Sequence, residues 1–320
     1  MIVLITGASG TLGYAFARLC RHRNLAHVAL TREELDISDP ASVEAALKQH
    51  DPWAIINCAG YQSIDAAQND EDRCYRENTA GPALLATTCE RQGIGFLTFS
   101  SDQVFNGRQM RPYVESDPRT PMSVYGRSKA RAEQAVLDIL PAALVVRTGT
   151  IFGPWDAGNF VATALRTIAE GRVFEAIDDV IVSPAYAPDL VHACLDLLID
   201  GESGIWHLTN KGGVTWKEFA EIAAVRAGLN DCLIQGCPVR SLRYEAPRPR
   251  YSVLSSERAA IMQTLDAAIG CYLRDCGITW TDTSTAVEHK ARPGARMVSQ
   301  RAGKRMENAV SIRRSAFKLR

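Results

Sequence analysis

Short apolar runs alternate with amphipathic stretches through the first half of this 320-residue chain. Residues 1–6 (MIVLIT) form an uninterrupted apolar run, too short for a typical helix, and predict a buried strand. Apolar residues then recur at Leu12, Ala15, Phe16, Leu19 and Cys20, the three-and-four spacing of a helix over 12–23. The alternation continues with a strand over 27–31, a helix over 40–50 and a strand over 53–59. Asp39 stands where a helix N-cap belongs, and Pro40 suits a first turn. A helix over 73–92, a strand over 96–100, a helix over 125–140 and a strand over 142–147 complete the series. Strands that alternate with helices in this way predict an α/β fold, a doubly wound parallel sheet (Rossmann) covered on both faces.

Beyond residue 155 the pattern loosens. Helices are predicted over 160–171, 189–199, 216–227 and 256–265, with strand-and-turn material over 173–188 and a short strand over 205–208. Pro247 and Pro249 mark an extended segment. The expected organisation is a dinucleotide-binding domain over 1–155, with 186–210 packing back onto it, and a smaller C-terminal substrate lobe over 156–283. Residues 284–320 carry no sustained apolar period and are expected to form a disordered tail.

Composition adds limits rather than a function. The chain is 46% hydrophobic and 22% charged, an ordinary globular balance. A formal net charge of +0 gives the whole molecule no pull toward nucleic acid or membrane. It conceals an asymmetry, because 284–320 holds ten Lys/Arg against two Asp/Glu, a net of +8, which leaves −8 for the rest. Nine scattered cysteines are an odd number and do not read as a disulfide framework, so a reducing, cytoplasmic setting is expected. Cys232/Cys237 and Cys271/Cys276 are spaced like ligand pairs but have no histidine close by, and no metal site is expected. No leader pattern and no run near the ~20 apolar residues of a membrane span is present.

Chemistry enters with Thr6-Gly7-Ala8-Ser9-Gly10-Thr11-Leu12-Gly13, which follows the first strand and opens the first helix. In that context three glycines predict a phosphate seat: Gly7 for the tight turn, Gly10 for close approach of a pyrophosphate, Gly13 for helix–strand packing. Thr11 and Leu12 belong to the same seat. An acid about twenty residues further on would hold an unphosphorylated ribose. Glu33 has that spacing, yet Arg32 precedes it and suits a 2′-phosphate, so the reading leans to NADP(H) over NAD(H). Asp36 and Ile37 follow and are expected on the adenine side of the crevice.

A second constellation lies at the end of the fourth strand and the start of the next helix. Ser101 ends the strand, and Tyr125 and Lys129 are four apart, on one helix face. Strand C-terminal ends are where ligands sit in doubly wound sheets, so the three can converge. Reducing a ketone leaves an alkoxide that must be protonated. A tyrosine can supply that proton, a neighbouring ammonium is expected to lower its pKa, and a serine hydroxyl can bond the carbonyl oxygen.

The segments TGASGTLG (6–13), LDIS (35–38), INCAGYQSIDAAQND (56–70), FSSDQVFNG (99–107), PYVESDPRTPMSVYGRSK (112–129), VVRTGTIFG (145–153), NFV (159–161), DDVIVSPAYAPDL (178–190) and APRPRYSVL (246–254) together resemble the extended short-chain dehydrogenase/reductases that act on nucleotide sugars. Among these the chain is most similar to the dTDP-4-dehydrorhamnose reductases, over about residues 1–275. The resemblance implies NAD(P)H-dependent reduction of the 4-keto group of dTDP-4-dehydro-L-rhamnose. It implies a Ser101, Tyr125, Lys129 triad, with Tyr125 and Lys129 also touching cofactor, and adds Cys58, Ala59 and Gly60 to the cofactor set. It implies substrate contacts from Ser101, Asp102, Val104, Phe105, Asn106 and Trp155. The family usually has Thr at position 101 and an aromatic at position 103, where this chain has Ser101 and Gln103. Related dehydratases carry Asp-Glu where this chain reads Asp102-Gln103, and an amide is no general base, which argues against dehydration. A nucleotide-sugar epimerase of the same fold and a non-catalytic dinucleotide-binding subunit are the alternative readings. The expected partner is a sugar-nucleotide substrate, without membrane or nucleic acid; a homodimer is allowed.

Overall fold

The computed structural model describes residues 1–278. The predicted basic tail and the end of the predicted substrate lobe lie outside them. Strand β1 (Ile2–Thr6) leads into helix α1 (Thr11–His22), followed by β2 (His27–Leu30), α2 (Pro40–His50) and β3 (Pro52–Asn57). Asp39 caps α2, its carboxylate accepting the Ala41 N–H at 3.1 Å, with Pro40 in the first turn. Two short helices come next, α3 (Ala66–Asn69) and α4 (Glu71–Tyr75), then a π-helical segment (Arg76–Ala80) and α5 (Gly81–Gln92). The single helix predicted over 73–92 therefore keeps its path but widens in the middle. Pro82 has no N–H to return to the Asn78 carbonyl, and the Gly81 N–H reaches back to the Arg76 carbonyl, five residues away.

Strand β4 (Gly95–Ser101) ends in a 3-10 turn, Asp102–Val104, and α6 (Val124–Ile139) and β5 (Leu144–Thr148) follow. Thereafter come β6 (Ile151–Phe152), α7 (Phe160–Ala169), β7 (Phe174–Ile177), β8 (Ile181–Val182), β9 (Ala185–Tyr186), α8 (Ala187–Ile199) and β10 (Gly204–His207). The described chain closes with β11 (Val214–Thr215), α9 (Trp216–Arg226), β12 (Ile234–Cys237) and α10 (Leu265–Asp275).

Six strands make one parallel sheet in the order β10-β5-β4-β3-β1-β2. Val3 and Ile5 pack on one face with Phe16 of α1 and Leu190 and Val191 of α8. Leu4 points to the other face, among Val43, Leu85 and Val136 of α2, α5 and α6. Burial on both faces explains why these strands read as continuous apolar runs. Strand β10 arrives late in the chain and pairs with β5, Gly204 beside Leu144 through His207 beside Arg147. A second core gathers α7, α9 and α10 around Phe152, Phe219, Leu265 and Tyr272.

One predicted element is corrected. Residues 256–264 form no helix, and the helix of this region is α10, capped by the Thr264 hydroxyl. The segment before it is held by its own side chains. Ser256 donates to Glu115 at 2.6 Å, Glu257 accepts from Ser116 at 2.9 Å, and Arg258 lies over Trp206 and donates to the Ser203 carbonyl at 2.6 Å. These tertiary contacts override the local helical spacing.

Candidate active site

The sheet order reverses at β1, with β2 on one side and β3 on the other, which opens a crevice at the strand C-termini. The glycine loop lies there. Gly7 has φ +68°, and a Cβ on it would stand 2.8 Å from the Ala59 nitrogen. A Cβ on Gly13 would stand 2.1 Å from the Gly7 carbonyl oxygen, so α1 can meet the loop only through glycine. Helix α1 begins at Gly10 with no side-chain cap and no acid in its first turn. Its free N–H groups and positive dipole end face the crevice.

Two adjoining cavities occupy the crevice. One, of about 280 Å³, is lined by Gly7, Gly10, Arg32, Asp36, Ile37 and Glu77 among others. The second, of about 240 Å³, is lined by Thr11, Leu12, Ser101, Tyr125 and Lys129 with Thr148 and Gly149. Cys58, Ala59, Gly60 and Gln62 form a common wall between them. The structure thus gathers the expected cofactor residues and the Ser–Tyr–Lys set along one groove. A dinucleotide fits this donor set: uncapped helix N–H groups in the middle, a guanidinium at one end and a Tyr–Lys pair at the other.

The triad is set by local capping. Ser101 ends β4, and its hydroxyl donates to Asp102 Oδ1 at 2.9 Å. Helix α6 starts at Ser123, whose side chain accepts the Gly126 N–H at 3.0 Å, and Gln68 takes the Val124 N–H at 2.8 Å. That fixes Tyr125 and Lys129 one turn apart. Lys129 Nζ donates to the Phe99 carbonyl at 3.2 Å and lies 5.9 Å from the Tyr125 ring centre. Burial lowers Lys129 to about 8, against the pull of Cys74, Glu133 and Cys58. Burial raises Tyr125, Asp102 raises it further, and a hydrogen bond with Ser101 offsets part of this. The phenol is therefore raised rather than lowered as expected, because burial and Asp102 set the direction of its shift. Tyr125 is held as a neutral phenol, the form that donates a proton.

The remaining expected residues divide. Asp102 is buried beside Ser101 and burial raises its pKa. Val104 and Phe105 are wholly interior, with Phe105 stacked on Tyr113 at 4.1 Å, and neither lines the groove. Asn106 Oδ1 accepts from the Arg108 N–H and the Tyr113 hydroxyl. Trp155 lines a third cavity against the glycine loop, which shares Ser9 and Gly10 with the first and Thr11 with the second, and stands edge-on to Tyr14 and beneath Arg18. Gln62 and Glu77 were not singled out from the sequence. Gln62 follows the Cys58–Gly60 turn that was, so its neighbourhood gave a signal. Glu77 owes its place to the π-helical segment, which sequence spacing does not reveal.

Comparison with known proteins agrees with this geometry. Residues 1–268 match the family model described as RmlD substrate binding domain. A dTDP-4-dehydrorhamnose reductase of Streptomyces griseus is 36% identical over 261 residues, 80% of this chain and 86% of that protein. A dTDP-4-keto-6-deoxy-D-glucose reductase of Streptomyces niveus is 34% identical over 255 residues, 79% of this chain and 88% of that protein. The crystal structure of a dTDP-4-dehydrorhamnose reductase from Bacillus anthracis, in complex with NADP, superposes with a TM-score of 0.81 at 27% identity, covering 86% of this chain and 99% of that one. By fold and by sequence, the chain belongs to the RmlD substrate binding domain family.

Proposed function

We propose that this chain reduces the 4-keto group of a dTDP-activated deoxysugar with NAD(P)H, with dTDP-4-dehydro-L-rhamnose as substrate and dTDP-L-rhamnose as product. The observation that carries this reading is the convergence of Ser101, Tyr125 and Lys129 on a groove that continues to the uncapped N-terminus of α1. When bound, the dinucleotide supplies the hydride. Ser101 bonds the carbonyl oxygen and Tyr125 gives its proton to the oxygen as negative charge develops. Lys129, charged below about pH 8, steadies the phenolate that remains. Residues 1–155, with α8 and β10, serve the cofactor, and the lobe built on α7, α9 and α10 serves the sugar nucleotide.

Arg32 at the far end of the groove favours NADP(H) over NAD(H), and the Bacillus anthracis relative was crystallised with NADP. The nine cysteines, all free, suit a reducing cytoplasm. Gln103 supports a second reading of the sugar. Its Oε1 is buried with no hydrogen-bond partner, next to Asp102, at a position where the family usually carries an aromatic. A related dTDP-4-keto sugar, as in the name of the Streptomyces niveus relative, is therefore the alternative substrate.

The test is incubation with NADPH or NADH and a panel of dTDP-4-keto sugars, following loss of the reduced cofactor. Turnover is expected with dTDP-4-dehydro-L-rhamnose, and Tyr125→Phe is expected to lower kcat by about 10²–10⁴-fold. No consumption across the panel would overturn the proposal.

A further inference from the structure

Discrimination at the ribose 2′ position rests on one charged residue per site in many dinucleotide folds, usually at the end of the second strand. Here that strand end does not supply the acid. Glu34 turns back to accept the Thr31 N–H at 2.8 Å, Glu33 bonds to the same turn, and neither lines the groove. Asp36 also lines the cavity, with one carboxylate oxygen accepting the Ser38 N–H at 2.9 Å. The acid that meets Arg32 directly comes from elsewhere in the fold: it is Glu77, in the π-helical segment.

Glu77 and Arg32 are 2.5 Å apart. The Glu77 side chain is 8% exposed and that of Arg32 45% exposed, so the carboxylate is the fixed member and the guanidinium the movable one. Glu77 has two further cations, Arg73 at 2.7 Å and Arg76 at 3.7 Å. It therefore stays paired when Arg32 swings away.

We propose that Glu77 is a specificity-determining residue, which tempers the attraction of Arg32 for a 2′-phosphate and accepts the 2′-hydroxyl of an unphosphorylated ribose. This deepens the reductase reading and rests on it. A 2′-phosphate carries about −1.5 to −2 charges near pH 7. To bind, it must draw Arg32 from Glu77 and then lie beside that carboxylate. A 2′-hydroxyl meets no such repulsion and can donate to it.

The test is calorimetric titration of the full chain with two adenosine fragments, 2′,5′-ADP and 5′-AMP, alongside NADP⁺ and NAD⁺. In the wild type NADP⁺ and NAD⁺ are expected to bind within about tenfold of each other. Glu77→Gln keeps the shape and removes the charge, and is expected to shift the preference toward 2′,5′-ADP by about tenfold. Arg32→Gln leaves Glu77 its other two partners and is expected to weaken 2′,5′-ADP by about tenfold while sparing 5′-AMP. Thermal unfolding of the same preparations confirms the fold, and Glu77→Asp, which keeps the charge but draws it back from Arg32, is expected to shift the preference the same way and decides the matter if Glu77→Gln does not fold. An unchanged or reduced preference in folded Glu77→Gln, an unaffected 2′,5′-ADP in Arg32→Gln, or a wild-type preference above about 100-fold would each overturn the inference. Failure of the wild type to bind any of the four would instead remove the dinucleotide reading beneath it.

Discussion

Burial dominates the titration of both helix residues in the triad, and it pushes them in opposite directions. Tyr125 rises and stays protonated, while Lys129 falls to about 8. The sign for activity follows from the lysine. Its ammonium is present below about pH 8 and is lost as pH rises through that value. The kcat/KM for the reduced dinucleotide, which reports the unliganded enzyme, is expected to fall over that range. A profile flat from pH 7 to about 9 would show that the Lys129 charge is not needed. Ser101, Tyr125 and Lys129 were legible in the sequence because their chemistry coincides with simple geometry, a strand end and a four-residue helical step. Val104 and Phe105 were less so, since an apolar residue beside a site and one inside the core look alike in sequence.

Among the connecting elements, the loop after β3 ties the site together. Gln62 lines both cavities, and Gln68 accepts the first N–H of α6. Asp65 between them grips the 245–248 segment, accepting from Arg248 at 2.8 and 2.7 Å and from the Glu245 and Ala246 N–H groups at 3.0 Å each. Arg248, as its chief hydrogen-bond donor, holds Asp65 at about 2 despite some burial. The clamp is therefore intact above the ordinary aspartate range and weakens only as pH falls through about 2. Asp65→Asn is expected to raise KM for the sugar nucleotide several-fold with a smaller change in kcat. The partial exposure of the pair limits the stability loss to about 1 kcal/mol. Steady-state kinetics and urea unfolding check both parts. Strands and long helices of the first half were legible from period alone. The π-helical widening and the 256–264 segment were not, because a proline's missing N–H and contacts with Glu115, Ser116 and Trp206 decide them.

Across the whole molecule, a buried ion pair joins α6 to the sheet. Arg147 of β5 and Glu133 of α6 are each about 1% exposed and meet at 2.8 and 2.7 Å. Ser100, next to Ser101, donates to the same carboxylate at 2.5 Å, and His207 of β10 lies 3.2 Å from Arg147. Arg147→Met leaves buried Glu133 with only the more distant Arg119, at 3.4 Å, as cation, and is expected to cost about 3 kcal/mol in denaturant unfolding. Arg147→Met with Glu133→Leu is expected to recover most of that loss. The overall α/β architecture was legible because strand and helix alternate. The pairing of β10 with β5 has no local signature, since it joins residues some sixty positions apart.

That late strand bears on how the molecule can be divided. A fragment ending at residue 155 would keep β1 to β5 but lose both α8 and β10. Val3, Ile5 and Phe16 would lose the helix that covers them, and the outer edge of β5 would offer its backbone to any passing strand. The β1–β5 half is consequently not a severable cassette. Swapping C-terminal lobes between relatives calls for two junctions, before and after the α8–β10 stretch, with the inserted pieces returned to a shared frame.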